Sequence, residues 1–176
     1  MKPEILPTSC RNRVKPTLLN RKGAELSLSG VTLVELSRAV LEKGAQFRFR
    51  AKGFSMFPFI KDCDIITIAP FLGRPLRLGD VVVFVHQETG KPVLHRLVGK
   101  RTDFYLIKGD NSSGTDSLAQ ESNILGYVRK VERNGNKVYL GLGLERFLIA
   151  LLARTGLLQP SLLLMRNLVR PIFRLR

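Results

Sequence analysis

From residue 47 to residue 142 the sequence is a chain of short apolar runs, many with a period of two, each closed by a turn signal. Phe47, Phe49 and Ala51 alternate with Arg48, Arg50 and Lys52, so one face of that segment can be buried while the other stays wet. Residues 64–69 are rich in β-branched side chains and end at Pro70. A Gly79-Asp80 turn introduces Val81 to Val85, an unbroken apolar run of the kind that fills a buried strand. Val93 to Val98 alternates again, placing Val93, His95 and Leu97 on one face. Phe104 to Ile107 and Ile124 to Arg133 follow, and Asn134-Gly135 is a strong hairpin turn leading into Lys137 to Leu142. Six or more short strands with frequent turns predict a mainly β fold, a coiled and partly closed β domain.

The flanks differ from this middle. Residues 1–29 interleave Arg11, Arg13, Lys15, Arg21 and Lys22 with Pro3, Pro7 and Pro16, which predicts a basic, loosely ordered leader. The leader has no apolar core and does not read as a secretory signal. A helix is expected over 32–43: Thr32 and Glu35 form a capping pattern, Leu33, Leu36 and Val40 share a face, and Gly44 can end it. The β-rich unit with this helix spans 30–143. In 144–176, Leu144, Phe147, Leu148, Leu151 and Leu152 follow helical spacing, as do Leu164, Leu168, Ile172 and Leu175. No acidic residue follows Glu145, while Arg146, Arg154, Arg166, Arg170, Arg174 and Arg176 punctuate the leucines.

The net charge of +15 favours anionic partners. Leucine faces edged by arginine suit the interfacial zone of an anionic bilayer, reached through this amphipathic tail. Nucleic acid ranks lower, because the leucines interrupt any basic track. No run of about 18 uninterrupted apolar residues occurs, so a conventional membrane span is not expected. Cys10 and Cys63 read as free thiols of a reducing compartment. Without Cys/His clusters at ligand spacing, neither a metal nor another cofactor is expected.

Three stretches concentrate the chemistry. Gly53-Phe54-Ser55-Met56-Phe57-Pro58 offers a hydroxyl after a glycine that permits close approach of a substrate backbone, with Gly53 and Met56 as supporting neighbours. Pro92 to Arg96 contributes His95, a candidate general base. His86, before a probable hairpin loop, reads as exposed and non-catalytic. The glycine- and serine-rich stretch from Lys108 to Asp116 contributes two carboxylates, Asp110 and Asp116, either of which could orient the imidazole. A hydroxyl, an imidazole and an acid are the parts of a serine nucleophile and its activating relay.

These stretches, with Leu78 to Phe84 and Ile124 to Val131, resemble in order and content the signal-peptidase-like serine peptidases, a group that includes type I signal peptidases and self-cleaving SOS-type repressors. The resemblance covers about residues 47–133. It implies a β-rich fold in which Ser55 attacks the scissile carbonyl. Most bacterial enzymes of the group use a lysine base; His95-Arg96 stands here where they have Lys-Arg, which resembles the Ser-His-Asp branch found in the endoplasmic reticulum and in archaea. That branch implies Asp116 as the catalytic acid and Asp110 as an organiser of the site. The expected function is a serine endopeptidase acting on a precursor or membrane-proximal polypeptide, in the cytoplasm or peripheral to the cytoplasmic membrane. Two alternatives stand beside it: a self-cleaving regulator, and a peptide- or lipid-binding module on the same scaffold. The natural substrate and the oligomeric state stay open.

Overall fold

The structure is a computed structural model, and it describes residues 17–19, 25–27, 29–71, 74–112 and 117–164. In chain order it contains β1 (Thr17–Leu19), β2 (Glu25–Ser27), α1 (Gly30–Glu42), β3 (Phe47–Arg50), β4 (Ile65–Ala69), β5 (Val81–Val85), β6 (Pro92–Arg101), β7 (Phe104–Lys108), β8 (Ser117–Gln120), β9 (Ile124–Arg133), β10 (Asn136–Val138) and α2 (Arg146–Arg154). A further helix runs over Leu158–Leu164. The strands form one curled antiparallel sheet in the order β2-β1-β3-β4-β9-β5-β6-β7-β8, with β10 paired to β9. The mainly β architecture read from the sequence is the one observed.

Period-two patterning explains how the sheet is filled. Val81 and Val83 point into a core with Phe47, Phe49, Ile66, Ile68 and Val131, covered by Leu33 and Leu41 of α1. Val82 and Phe84, on the opposite face of the same strand, pack with Leu97, Tyr105, Ile107 and Ile124. A strand buried on both faces has no polar alternation to show, as its sequence suggested. A third cluster joins Phe59 and Val98 to Ile149, Ala150 and Ala153 of α2.

Three boundaries differ from expectation. Helix α1 starts at Gly30 because Ser29, not Thr32, is its N-cap: the Ser29 hydroxyl accepts from the Thr32 N–H at 3.2 Å. Within the segment read as a loose leader, residues 17–19 and 25–27 pair as a hairpin, and Leu18 sits opposite Phe49 of β3. Strand β8 was not foreseen; it pairs with β7 from Phe104↔Gln120 to Ile107↔Ser117. Among the described residues no single helix is long and apolar enough to cross a membrane; α2 and the following helix are bent by 115° relative to each other.

Cys63 is disulfide-bonded, which corrects the reading of two free thiols. The only other cysteine of the chain is Cys10, outside the described residues. Cys63 itself lies at φ 69°, in the left-handed region.

The elements are fastened by one buried guanidinium. Arg96, on β6, is completely excluded from solvent. Its Nε and Nη2 donate to the two carboxylate oxygens of Asp110 at 2.8 and 2.7 Å, and its Nη1 donates to the carbonyls of Gly79 and Gly141 at 2.9 and 2.8 Å. Removing one partner of such a pair strands a buried charge, at a cost of about 3–5 kcal/mol. Arg96→Ala or Asp110→Ala is therefore expected to lose about that much stability in urea unfolding, measured as a drop in midpoint at constant slope. A loss below about 1 kcal/mol would contradict this role.

Candidate active site

Ser55 lies on a turn that follows β3 rather than on a strand. Gly53 has φ 95°, a conformation that disfavours a side chain, and its N–H is held by Asp62 Oδ1 at 2.8 Å. The turn closes with Phe57 N–H donating to the Phe54 carbonyl and Ile60 N–H to the Met56 carbonyl. Met56 is driven into the core beside Ile60, so the neighbouring Ser55 is turned outward and exposed. In this turn Gly53 permits the bend and Met56 anchors it.

His95 sits on β6 opposite Val82, with its ring 6.1 Å from that of Phe84. Ser55 and His95 meet at Gly109. A Cβ placed there would fall 2.8 Å from the Ser55 carbonyl oxygen and 3.0 Å from His95 Nε2. The Ser55 carbonyl also accepts from the Asn111 N–H at 2.7 Å. The loop after β7 therefore packs against the Ser55 turn and the imidazole together. No hydrogen bond links Ser55 Oγ to His95 in this conformation, and catalytic contacts commonly tighten only when substrate is bound.

The two aspartates have different fates. Asp110 gives both carboxylate oxygens to Arg96 and is buried with it, so it fixes the loop and is not the partner of the imidazole. Asp116 lies outside the described residues. Its neighbour Ser117 pairs with Ile107, two positions before Gly109. His95 Nδ1 is buried and has no hydrogen-bond partner among the described residues.

Burial pushes the His95 imidazole down to about 4, with the positive form of His86 as the second cause. His86 is half-buried, and its Nδ1 is shielded from water, which corrects the expectation of an exposed loop residue. It ends β5 at a tight hairpin closed by the His86 N–H donating to the Lys91 carbonyl.

Two contributors had no role in the sequence reading. Gly109 is needed because only a hydrogen fits between a carbonyl and a ring; its place in Lys-Gly-Asp-Asn was the available signal. Gln159, on the helix after α2, donates to the Asp110 carbonyl at 2.7 Å and to Asn111 Oδ1 at 3.0 Å, so the carboxyl-terminal helices brace the same loop. Nothing in the local sequence around Gln159 announced that contact.

A base whose folded value is depressed binds its proton more weakly in the folded than in the unfolded chain. The stability linked to His95 is thus complete above about pH 6.5 and declines as pH falls toward about 4. Imidazole ¹⁵N shifts should show His95 titrating near 4; a midpoint near the ordinary value would contradict the buried setting. Gly109→Ala should cost about 1–3 kcal/mol and displace those resonances, because its methyl overlaps the Ser55 carbonyl and the ring.

A search of curated proteins finds no significant match to this chain. A family model does match: the Peptidase S24-like family covers residues 22–129, more than half of the chain and all three of the stretches that meet at Gly109. The curled β scaffold is in keeping with that match, and the chain belongs to the Peptidase S24-like family.

Proposed function

We propose that this protein is a serine endopeptidase that cleaves a polypeptide by acyl transfer to Ser55. The observation that carries the reading is the convergence of an exposed Ser55 and His95 Nε2 on Gly109 within a chain of this peptidase family. Ser55 Oγ attacks the scissile carbonyl carbon while His95 Nε2 takes its proton. The tetrahedral oxyanion is stabilised by the Ser55 N–H, a contribution of about 3 kcal/mol for a well-aimed donor. His95 then returns the proton to the departing amine as the C–N bond breaks. Water, deprotonated by the same imidazole, releases the acyl group as a carboxylate and restores the serine.

An imidazole near 4 is neutral at pH 7 and available, but it is a weak base. A carboxylate on Nδ1 would fix the tautomer and raise basicity. Asp116 is assigned that role on two grounds: the vacant buried Nδ1 of His95, and the commitment of Asp110 to Arg96. Ser55→Ala should abolish labelling by a fluorophosphonate probe. His95→Ala should slow cleavage by a factor on the order of 10⁴ to 10⁶, because relay members act as a unit. Full activity in His95→Ala would refute the assignment of the base.

The enzyme is placed at a membrane surface by its carboxyl-terminal helices. Ile149, Ala150 and Ala153 of α2 face the core, while Leu148 and Leu151 on the other side are more than half exposed, as are Leu144, Leu157 and Leu164 around them. Arg166, Arg170, Arg174 and Arg176 follow in sequence with no acid among them. Exposed leucine edged by arginine fits an anionic headgroup layer. The disulfide at Cys63 favours the oxidising side of that membrane over the cytoplasm. Wild-type protein is expected to float with vesicles rich in phosphatidylglycerol, more weakly with phosphatidylcholine, and Leu148→Asp/Leu151→Asp should remain behind. Equal behaviour of the two proteins would remove the membrane from this reading.

The self-cleaving alternative has one observation in its favour. Strand β1 pairs with β3 at Leu18↔Phe49, and Phe49 lines the cleft next to Ser55. Intact-mass spectrometry separates the two: a truncated wild-type chain beside a full-length Ser55→Ala chain would establish self-cleavage.

A further inference from the structure

The cleft beside Ser55 opens into a cavity of about 450 Å³ between the end of β3, the start of α1 and the start of β6. Its interior is made of Leu33, Phe49, Ala51, Met56, Ile60 and Val83, all buried and all part of the first core cluster. The depth and greasiness of this hollow exceed what a methyl side chain can fill. A pocket of this size lies in the range that engulfs a sizeable ligand group. An alanine placed in it would leave most of the apolar wall wet, whereas a leucine or phenylalanine would cover it.

The rim is dominated by cations. Lys61 and Lys91 border the opening together with Arg50 and Lys52, and no carboxylate is among the described lining residues. Two carboxylates stand nearby and are hydrogen-bonded within the fold. Asp62 accepts from the Gly53 N–H, and Asp64 is buried against Arg133 at 2.8 Å. The amino end of α1, at Gly30, also borders the cavity and adds the positive end of its dipole. One neighbouring wall is suited to an extended chain, because the Pro92–His95 half of β6 is paired with β5 while its pairing with β7 begins only at Arg96.

We propose that the cleft selects extended polypeptide segments that insert a bulky aliphatic or aromatic side chain beside Ser55 and carry an acidic residue within a few positions of it. The proposal rests on the peptidase reading for its placement next to the nucleophile, but the binding preference is a property of the cavity and its rim. The apolar anchor supplies most of the affinity. The cationic rim sets the sense of the flanking charge and loses its effect as salt screens it.

The test uses the full-length Ser55→Ala protein and fluorescent ten-residue peptides of one parent sequence, varied at the anchor (Ala, Leu, Phe) and at the flank (Glu, Gln, Lys). Fluorescence anisotropy at low salt is expected to show Leu or Phe binding about tenfold or more tightly than Ala, and Glu more tightly than Lys. The flank preference should shrink at high salt while the anchor preference stays. Lys61→Glu/Lys91→Glu should invert the flank preference, and the milder Lys61→Gln/Lys91→Gln should erase it if the reversed protein does not fold. Equal binding of Ala and Leu peptides, a preference for Lys at the flank, or no binding by any peptide would overturn the proposal. Fluorophosphonate labelling of the wild-type protein is scored separately. Labelling without the peptide preference sinks the specificity and keeps the peptidase, whereas the preference without labelling keeps the specificity and sinks the peptidase.

Discussion

The arrangement of this protein depends on a guanidinium that has no access to water. Arg96 fills its donors with Asp110 and with the Gly79 and Gly141 carbonyls. Those partners come from three places in the chain: the loop after β7, the turn before β5 and the approach to α2. A hydrophobic cluster of similar volume could hold the same elements with no desolvation cost. What an apolar substitute could not supply is direction, because the planar fork accepts only one arrangement of acceptors. The neighbouring residue in sequence is His95. Fixing the strand at Arg96 on one side and the loop at Asp110 on the other brings Gly109 against the imidazole and the Ser55 carbonyl.

The carboxyl-terminal helices are joined to the same junction. Arg146, at the start of α2, pairs with buried Asp80 at 3.0 Å, and a Cβ on Gly79 would fall 2.6 Å from the Arg146 carbonyl. Gln159 then reaches back to the loop that carries Asp110 and Asn111. The face of these helices that meets the sheet is apolar, through Ile149, Ala150, Ala153 and Leu158, while Leu148, Leu151, Leu157 and Leu164 are left outside. A surface proposed to meet lipid is thus mechanically continuous with the loop that packs against Ser55, through hydrogen bonds that belong to the fold itself.

The chemistry at the site follows from unequal burial. Ser55 is exposed because the residue after it is taken into the core. His95 is held back in an apolar setting that disfavours its charged form. The cavity next to them is apolar within, with Lys61 and Lys91 at its edge. The Nδ1 atoms of His95 and His86 are both buried without a partner among the described residues, and the commitment of Asp110 to Arg96 sets it apart from an aspartate that looked equivalent as a letter.

Much of the sheet was legible because period-two patterning and turn residues are local properties. Val81 to Val85, the Asn134-Gly135 turn and the alternation around His95 could each be read within about ten residues. The capping serine of α1 was missed because a competing pattern three residues later looked as good on paper. Strands β1, β2 and β8 were missed because three or four polar or mixed residues acquire strand geometry only from a partner that already exists. The sequence alone determined which residues could be nucleophile, base and acid, and that His95 would lie on an alternating strand, since side-chain chemistry and hydrophobic period need no third dimension. Only the tertiary structure decided that Asp110 belongs to Arg96, that Gly109 is where Ser55 and His95 meet, and that Cys63 is bonded. Those outcomes depend on which distant groups share one buried volume, where an unpaired charge or a surplus methyl is costly and few arrangements satisfy every donor.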